Sequence, residues 1–81
     1  MSRSHRRQFF DGVIEWLDPQ MRTAQVRLYL TQEIVEVYLA RSVSQDTVEA
    51  LVTDARAKRF AGVWDWERRI YIVSSVDEIK G

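Results

Sequence analysis

Between Arg22 and Arg41 apolar and polar residues alternate with a period of two, so that Ala24, Val26, Leu28 and Leu30, then Val35, Val37 and Leu39, fall on one face. Successive side chains of an extended strand point to opposite sides, so this period predicts two strands with one shared face turned toward a core. The reversal between them, near Thr31 and Gln32, lacks the Asn-Gly chemistry of a tight primed turn, and a four-residue loop is expected. In the expected register Leu28 meets Val35, Val26 meets Val37 and Arg27 meets Glu36. The opposite charges of the last pair agree with the apolar pairing.

The same alternation extends upstream, where Phe10, Gly12, Ile14 and Trp16 form the apolar phase of a first strand and Gly12 marks a bulge or a tight barrel bend. Asp18-Pro19-Gln20-Met21 supplies the turn, because Pro presets the backbone angle and the Asp carboxylate accepts from downstream amides. With Leu17 facing Thr23, Trp16 meets Ala24, Ile14 meets Val26, Gly12 meets Leu28 and Phe10 meets Leu30.

After Arg41 the period changes. Val48, Leu51, Val52 and Ala55 stand at helical spacing and predict one helix of about three turns. Ser44 is a good N-cap with Val43 and Val48 as a hydrophobic staple, and Asp46 with Glu49 is an equally legible capping box. Two more strands follow, Lys58 to Trp66 and Arg69 to Ser75, joined through Asp65-Trp66-Glu67-Arg68. Their apolar residues occupy both faces, Phe60, Trp64, Ile70 and Ile72 against Ala61, Val63, Tyr71 and Val73, so the helix or a partner chain must cover the second face. Val76 and Ile79 are expected to pin the C-terminus.

The expected fold class is mainly β with one helix (α+β), in the order β-β-β-α-β-β. Residues 1–8 read as a basic flexible tail, with Arg3, Arg6 and Arg7 around His5, and residues 9–79 as a single small β-barrel domain. The stretches "FDGVIEWLDPQMRTAQVRL" and "RFAGVWDWERRIYIVSSVDEI", separated by a capped helix, resemble small bacterial OB-like five-stranded barrel domains of unassigned activity. An SH3-like barrel shares the pattern. The resemblance spans Phe9 to Ile79 and implies a helix that plugs one barrel end after the third strand. It carries over no functional residue. Compared with nucleic-acid-binding OB folds, the outer face of the second and third strands (Thr23, Gln25, Arg27, Tyr29, Ile34, Glu36, Tyr38) is poor in basic residues.

Composition narrows the chemistry. The chain has 12 basic and 12 acidic residues and no net charge, so no global field draws nucleic acid or an anionic membrane, and any such binding needs a local patch. Cysteine is absent, which removes disulfides, thiolate metal sites and thiol nucleophiles and fits a reducing cytoplasm. The single histidine, His5, lies in the tail, so neither a hydrolase triad nor a zinc site can be assembled from the usual groups. The glycines at 12, 62 and 81 form no phosphate loop. No run of about 18 apolar residues is present, and no membrane partner is expected. The expectation is therefore a cytoplasmic binding module that is not an enzyme and needs no cofactor or metal.

Two surfaces are candidates for that binding. Trp64, Trp66, Arg68 and Arg69, with Arg59 and Lys58 on the same strand and Tyr71 on the next, interleave aromatic rings with cationic groups, the arrangement on which single-stranded bases stack. Tyr29, Ile34 and Tyr38 form an aromatic stripe on the middle hairpin, beside Arg27, that could stack bases or make a protein interface, where such residues are enriched. The plain structural alternatives are a core Trp64 beside a loop Trp66, and ordinary cross-strand packing of the tyrosines. The expected partner is a protein, either a second copy in a homo-oligomer or a larger chain. The alternative is single-stranded DNA or RNA held by Trp66, Arg68, Arg69, Arg27 and Tyr29.

Overall fold

The computed structural model describes residues 7–79, and its chain order is β1 (Gln8–Asp18), β2 (Thr23–Leu28), β3 (Ile34–Leu39), α1 (Gln45–Leu51), β4 (Lys58–Asp65) and β5 (Ile70–Glu78). The strands close a barrel in the order β1-β2-β3-β5-β4. All neighbours are antiparallel except β3 and β5, which run parallel. The architecture is that of a small OB-like or SH3-like barrel, as the alternation and the single helical segment imply.

Closure depends on β1, the longest strand, which pairs with β4 through its first half and with β2 through its second. Gly12 stands at the handover, opposite both Leu28 and Lys58. A Cβ there would lie 2.6 Å from Val26 Cγ1 and 2.7 Å from the Arg27 carbonyl oxygen, so β2 crosses too closely for any side chain. The glycine thus serves the bend. The bulge lies further on, at Glu15, between the Ile14–Val26 and Trp16–Gln25 pairs. This one-residue shift turns the expected Trp16–Ala24 pair into Leu17–Ala24, placing Leu17 against the core and leaving Trp16 half exposed.

The middle hairpin has the expected four-residue loop, Tyr29 to Gln32, but its register differs by two. The Leu28 amide donates to the Glu33 carbonyl at 2.8 Å and the Gln32 amide to the Leu28 carbonyl at 2.9 Å, with Gln32 in the left-handed region at φ 65°. Val26 therefore meets Val35, Ala24 meets Val37 and Arg27 meets Ile34 in place of Glu36. A slip of two preserves which residues face inward, so apolar alternation alone cannot detect it. Because β2 ends at Leu28, Leu30 is not paired with Phe10 but lies in the loop, 91% exposed.

On β4 and β5, Trp64 is opposite Tyr71 and Val63 opposite Ile72. The inner face consequently carries Phe60, Trp64, Tyr71 and Val73, and the outer face Val63, Ile70 and Ile72, which exchanges Ile70 and Ile72 with Tyr71 and Val73 relative to the sequence expectation. The helix does not cover the outer face. It has two turns, not three, and directs Val48 and Leu51 into the cluster of Ala24, Val26, Val37, Leu39, Phe60 and Val73. Ser44 is its N-cap, accepting from the Thr47 amide at 3.1 Å, and Val43 is buried beside it. Val52 and Ala55 are exposed, since the chain leaves the helix before they can turn inward.

Two polar devices hold the helix end. Arg22, at φ 58° after the first turn, donates through Nε to the Leu39 carbonyl at 2.8 Å, through one amino group to the Ala40 (2.6 Å) and Val43 carbonyls, and through the other to Gln45 Oε1 at 2.8 Å. Asp54 receives the buried Lys58 ammonium at 2.7 Å and the Arg56 guanidinium at 3.0 Å. The Arg56 hydrogen bond, followed by that from Lys58, holds the Asp54 carboxyl far below its ordinary value of 3.8. A carboxyl with a depressed folded pKa stabilises the fold fully above its unfolded pKa and loses that contribution as pH falls through the lower folded value. Stability should therefore decline below about pH 5. In urea unfolding followed between pH 3 and 7, Asp54→Asn should flatten that decline while weakening the protein at pH 7, where it strands the Lys58 charge.

Candidate interface at the helix-free end

Parallel pairing of β3 with β5 puts the turns preceding these two strands at the same end of the barrel, and α1, which follows β3, at the other. A plug of rings runs from the core out to the helix-free end. Phe60 stacks on Phe10 at 5.3 Å between centroids, Phe10 meets Tyr71 at 4.9 Å, Tyr71 meets Trp64 edge-on at 4.8 Å, and Trp64 meets Trp66 edge-on at 5.8 Å. The series starts at the fully buried Phe60, passes through the half-buried Phe10, Tyr71 and Trp64, and ends at Trp66, which is 72% exposed in the turn beyond β4. Trp64 and Tyr71 are half-buried and belong mainly to the plug. The Trp64 Nε1 hydrogen is buried and has no acceptor among the described residues.

Two loops flank the plug. The β4–β5 turn is built by Asp65, whose carboxylate accepts from the Glu67 and Arg68 amides at 3.0 and 3.3 Å, and by Arg69 at φ 55°, whose amide donates to the Asp65 carbonyl at 2.8 Å. These bonds throw Trp66, Glu67, Arg68 and Arg69 into solvent. Arg68 lies 3.9 Å from Asp65, and Arg69 has no ion pair among the described residues. The β2–β3 loop presents Tyr29 and Leu30, with Ile34 at the start of β3, at 66%, 91% and 58% exposure. Glu33 and Glu36 are exposed beside them, without ion pairs among the described residues.

The remaining candidates lie elsewhere. Arg27 pairs with Glu15 across β1 and β2 at 2.9 Å. Arg59 forms a two-pronged pair with Asp11 at 2.8 and 3.1 Å, and that hydrogen bonding pulls the Asp11 carboxyl down and raises the guanidinium. Both arginines are already committed on the barrel wall. Tyr38 is half-buried on the outer face, where Ile72 is its cross-strand neighbour, and does not join Tyr29 in one stripe. Alternation missed Phe10 as a member of the plug and Leu30 as an exposed group. The first needed the pairing of β1 with β4, and the second the point at which β2 ends.

Among the described residues no cluster of His, Cys, Asp or Glu could hold a metal ion, and no helix is long and apolar enough to cross a membrane. The basic residues Arg3 and Arg6 lie outside the described residues. No family model, no curated protein and no solved structure matches this chain.

Proposed function

We propose that the protein is a binding module, not an enzyme, that takes another polypeptide against its helix-free end in the cytoplasm. One observation carries the reading: at that end Tyr29, Leu30, Ile34 and Trp66 stay exposed, whereas Arg27 and Arg59, which a nucleic-acid surface would use, are tied to Glu15 and Asp11. Exposed aromatic and branched side chains gathered at one end of a barrel favour association with an apolar surface. Phosphate binding needs cations free to displace counterions, and here Glu33, Glu36 and Glu67 oppose it.

Tryptophan fluorescence distinguishes the two chemistries, because Trp66 would lie under any ligand. Titration with mixed-sequence single-stranded DNA or RNA at two salt concentrations should leave the emission unchanged. The tagged wild type should retain a stoichiometric polypeptide, whether itself or another chain, that Trp66→Ser loses. Quenching that weakens as salt rises would replace this reading with nucleic-acid binding through Trp66, Arg68 and Arg69.

A further inference from the structure

The two loops at the helix-free end differ in charge. The β2–β3 side offers Glu33 and Glu36 around Tyr29, Leu30 and Ile34, with Arg27 opposite Ile34 but paired to Glu15, and the β4–β5 side offers Arg68 and Arg69 around Trp66, opposed by Glu67 among its exposed charges. Asp65 accepts two amide hydrogen bonds of its own loop through one oxygen and faces the Arg68 guanidinium at 3.9 Å through the other, so that Arg69 is the cation of this lobe without an ion pair among the described residues. Although both loops sit at one end of the barrel, no ion pair joins them among the described residues. A surface carrying both an acidic apolar lobe and a basic aromatic lobe is complementary to itself after a half-turn about an axis passing between the lobes.

From this complementarity, and resting on the polypeptide-binding reading above, we infer that the occupant of the helix-free end is a second copy of this chain. In the resulting two-fold dimer, Arg68 and Arg69 of each copy face Glu33 and Glu36 of the other, while Trp66 covers Leu30 and Ile34 across the axis. The geometry makes each contact occur twice, so a modest charge difference between the lobes counts double. It also accounts for an apolar end on a chain of zero net charge, since dimerisation buries the exposed rings that would otherwise favour aggregation.

Sedimentation equilibrium of the wild-type protein should show a mass that doubles from 9.6 kDa with rising concentration and stops at the dimer. Glu33→Lys with Glu36→Lys should be monomeric at the same concentrations, and so should Arg68→Glu with Arg69→Glu. An equimolar mixture of these two variants should recover the dimer, because each reversed lobe then meets its opposite. All four side chains are exposed, and circular dichroism would verify that the variants fold. A wild type that remains monomeric at high micromolar concentration overturns the inference, as does failure of the mixed variants to associate. If another chain is still held through Trp66 in that event, the polypeptide-binding reading stands and only the identity of the occupant is wrong. A mass that rises only when oligonucleotide is added overturns both.

Discussion

Gly62→Ala should abolish the folded state or leave it barely stable. A Cβ at this position would be 2.9 Å from both the Ile72 carbonyl carbon and Val73 Cα, and closer still to the Ile72 carbonyl oxygen. All three are backbone atoms of β5, the strand that links β4 to β3, so relief requires moving a strand held on both sides. The close approach originates in the register shift between Ala61 and Gly62, where Ser74 is the unpaired residue and its hydroxyl donates to the Ala61 carbonyl at 3.2 Å. Backbone freedom is not the reason, since Gly62 has no positive φ. Overpacking normally costs about 1–3 kcal/mol where side chains can yield, and a rigid backbone neighbour moves the cost to about 4 kcal/mol or more. A domain of this size has only about 5–10 kcal/mol in all. Far-UV circular dichroism and thermal melting provide the check. A Gly62→Ala protein melting within about 2 °C of the wild type would show that β5 can shift at Ile72.

Arg22→Ala should have the next largest effect, with a loss of about 2–4 kcal/mol and a melting temperature lower by about 10–20 °C. The side chain fastens the β1–β2 turn to the carbonyls of Leu39, Ala40 and Val43, which follow from the end of β3 toward α1, and to Gln45 in the first turn of the helix. Removing it leaves three carbonyls without their charged donor and releases the segment that carries the buried Val43 into the core. Arg22→Lys should recover little, because one ammonium cannot reproduce a planar fork that reaches four acceptors in different directions. Arg22→Gly relieves the left-handed backbone at φ 58° and should still lose most of the stability, since the hydrogen bonds carry the effect. Urea unfolding of the three variants separates these contributions. Equal stability of Arg22→Lys and the wild type would mean that the Leu39 carbonyl alone matters.

The sequence by itself determined the fold class and the element order. Period-two alternation in β1 to β3, a short period-3.6 segment behind Ser44, and the Asp18-Pro19 and Asp65-Trp66 turns are local features, set by strand pleat, helix pitch and side-chain-to-amide hydrogen bonds within a few residues. The sequence left open whether Trp64 shares an exposed surface with Trp66 or packs while Trp66 stands in the loop, and the contact of Trp64 with Tyr71 decided for the second. The register of β2 against β3, the bulge at Glu15 and the sorting of Tyr71 and Val73 to the inside were decided by the tertiary structure. Each depends on a cross-strand partner, and a slip of two residues leaves the apolar pattern of a single strand unchanged. The same limit explains the candidate surface. Arg27 and Arg59 look as available as Arg68 and Arg69 in sequence, and only strand pairing, of β1 with β2 and of β1 with β4 as the barrel closes, brings Glu15 and Asp11 against them while leaving the helix-free end uncovered.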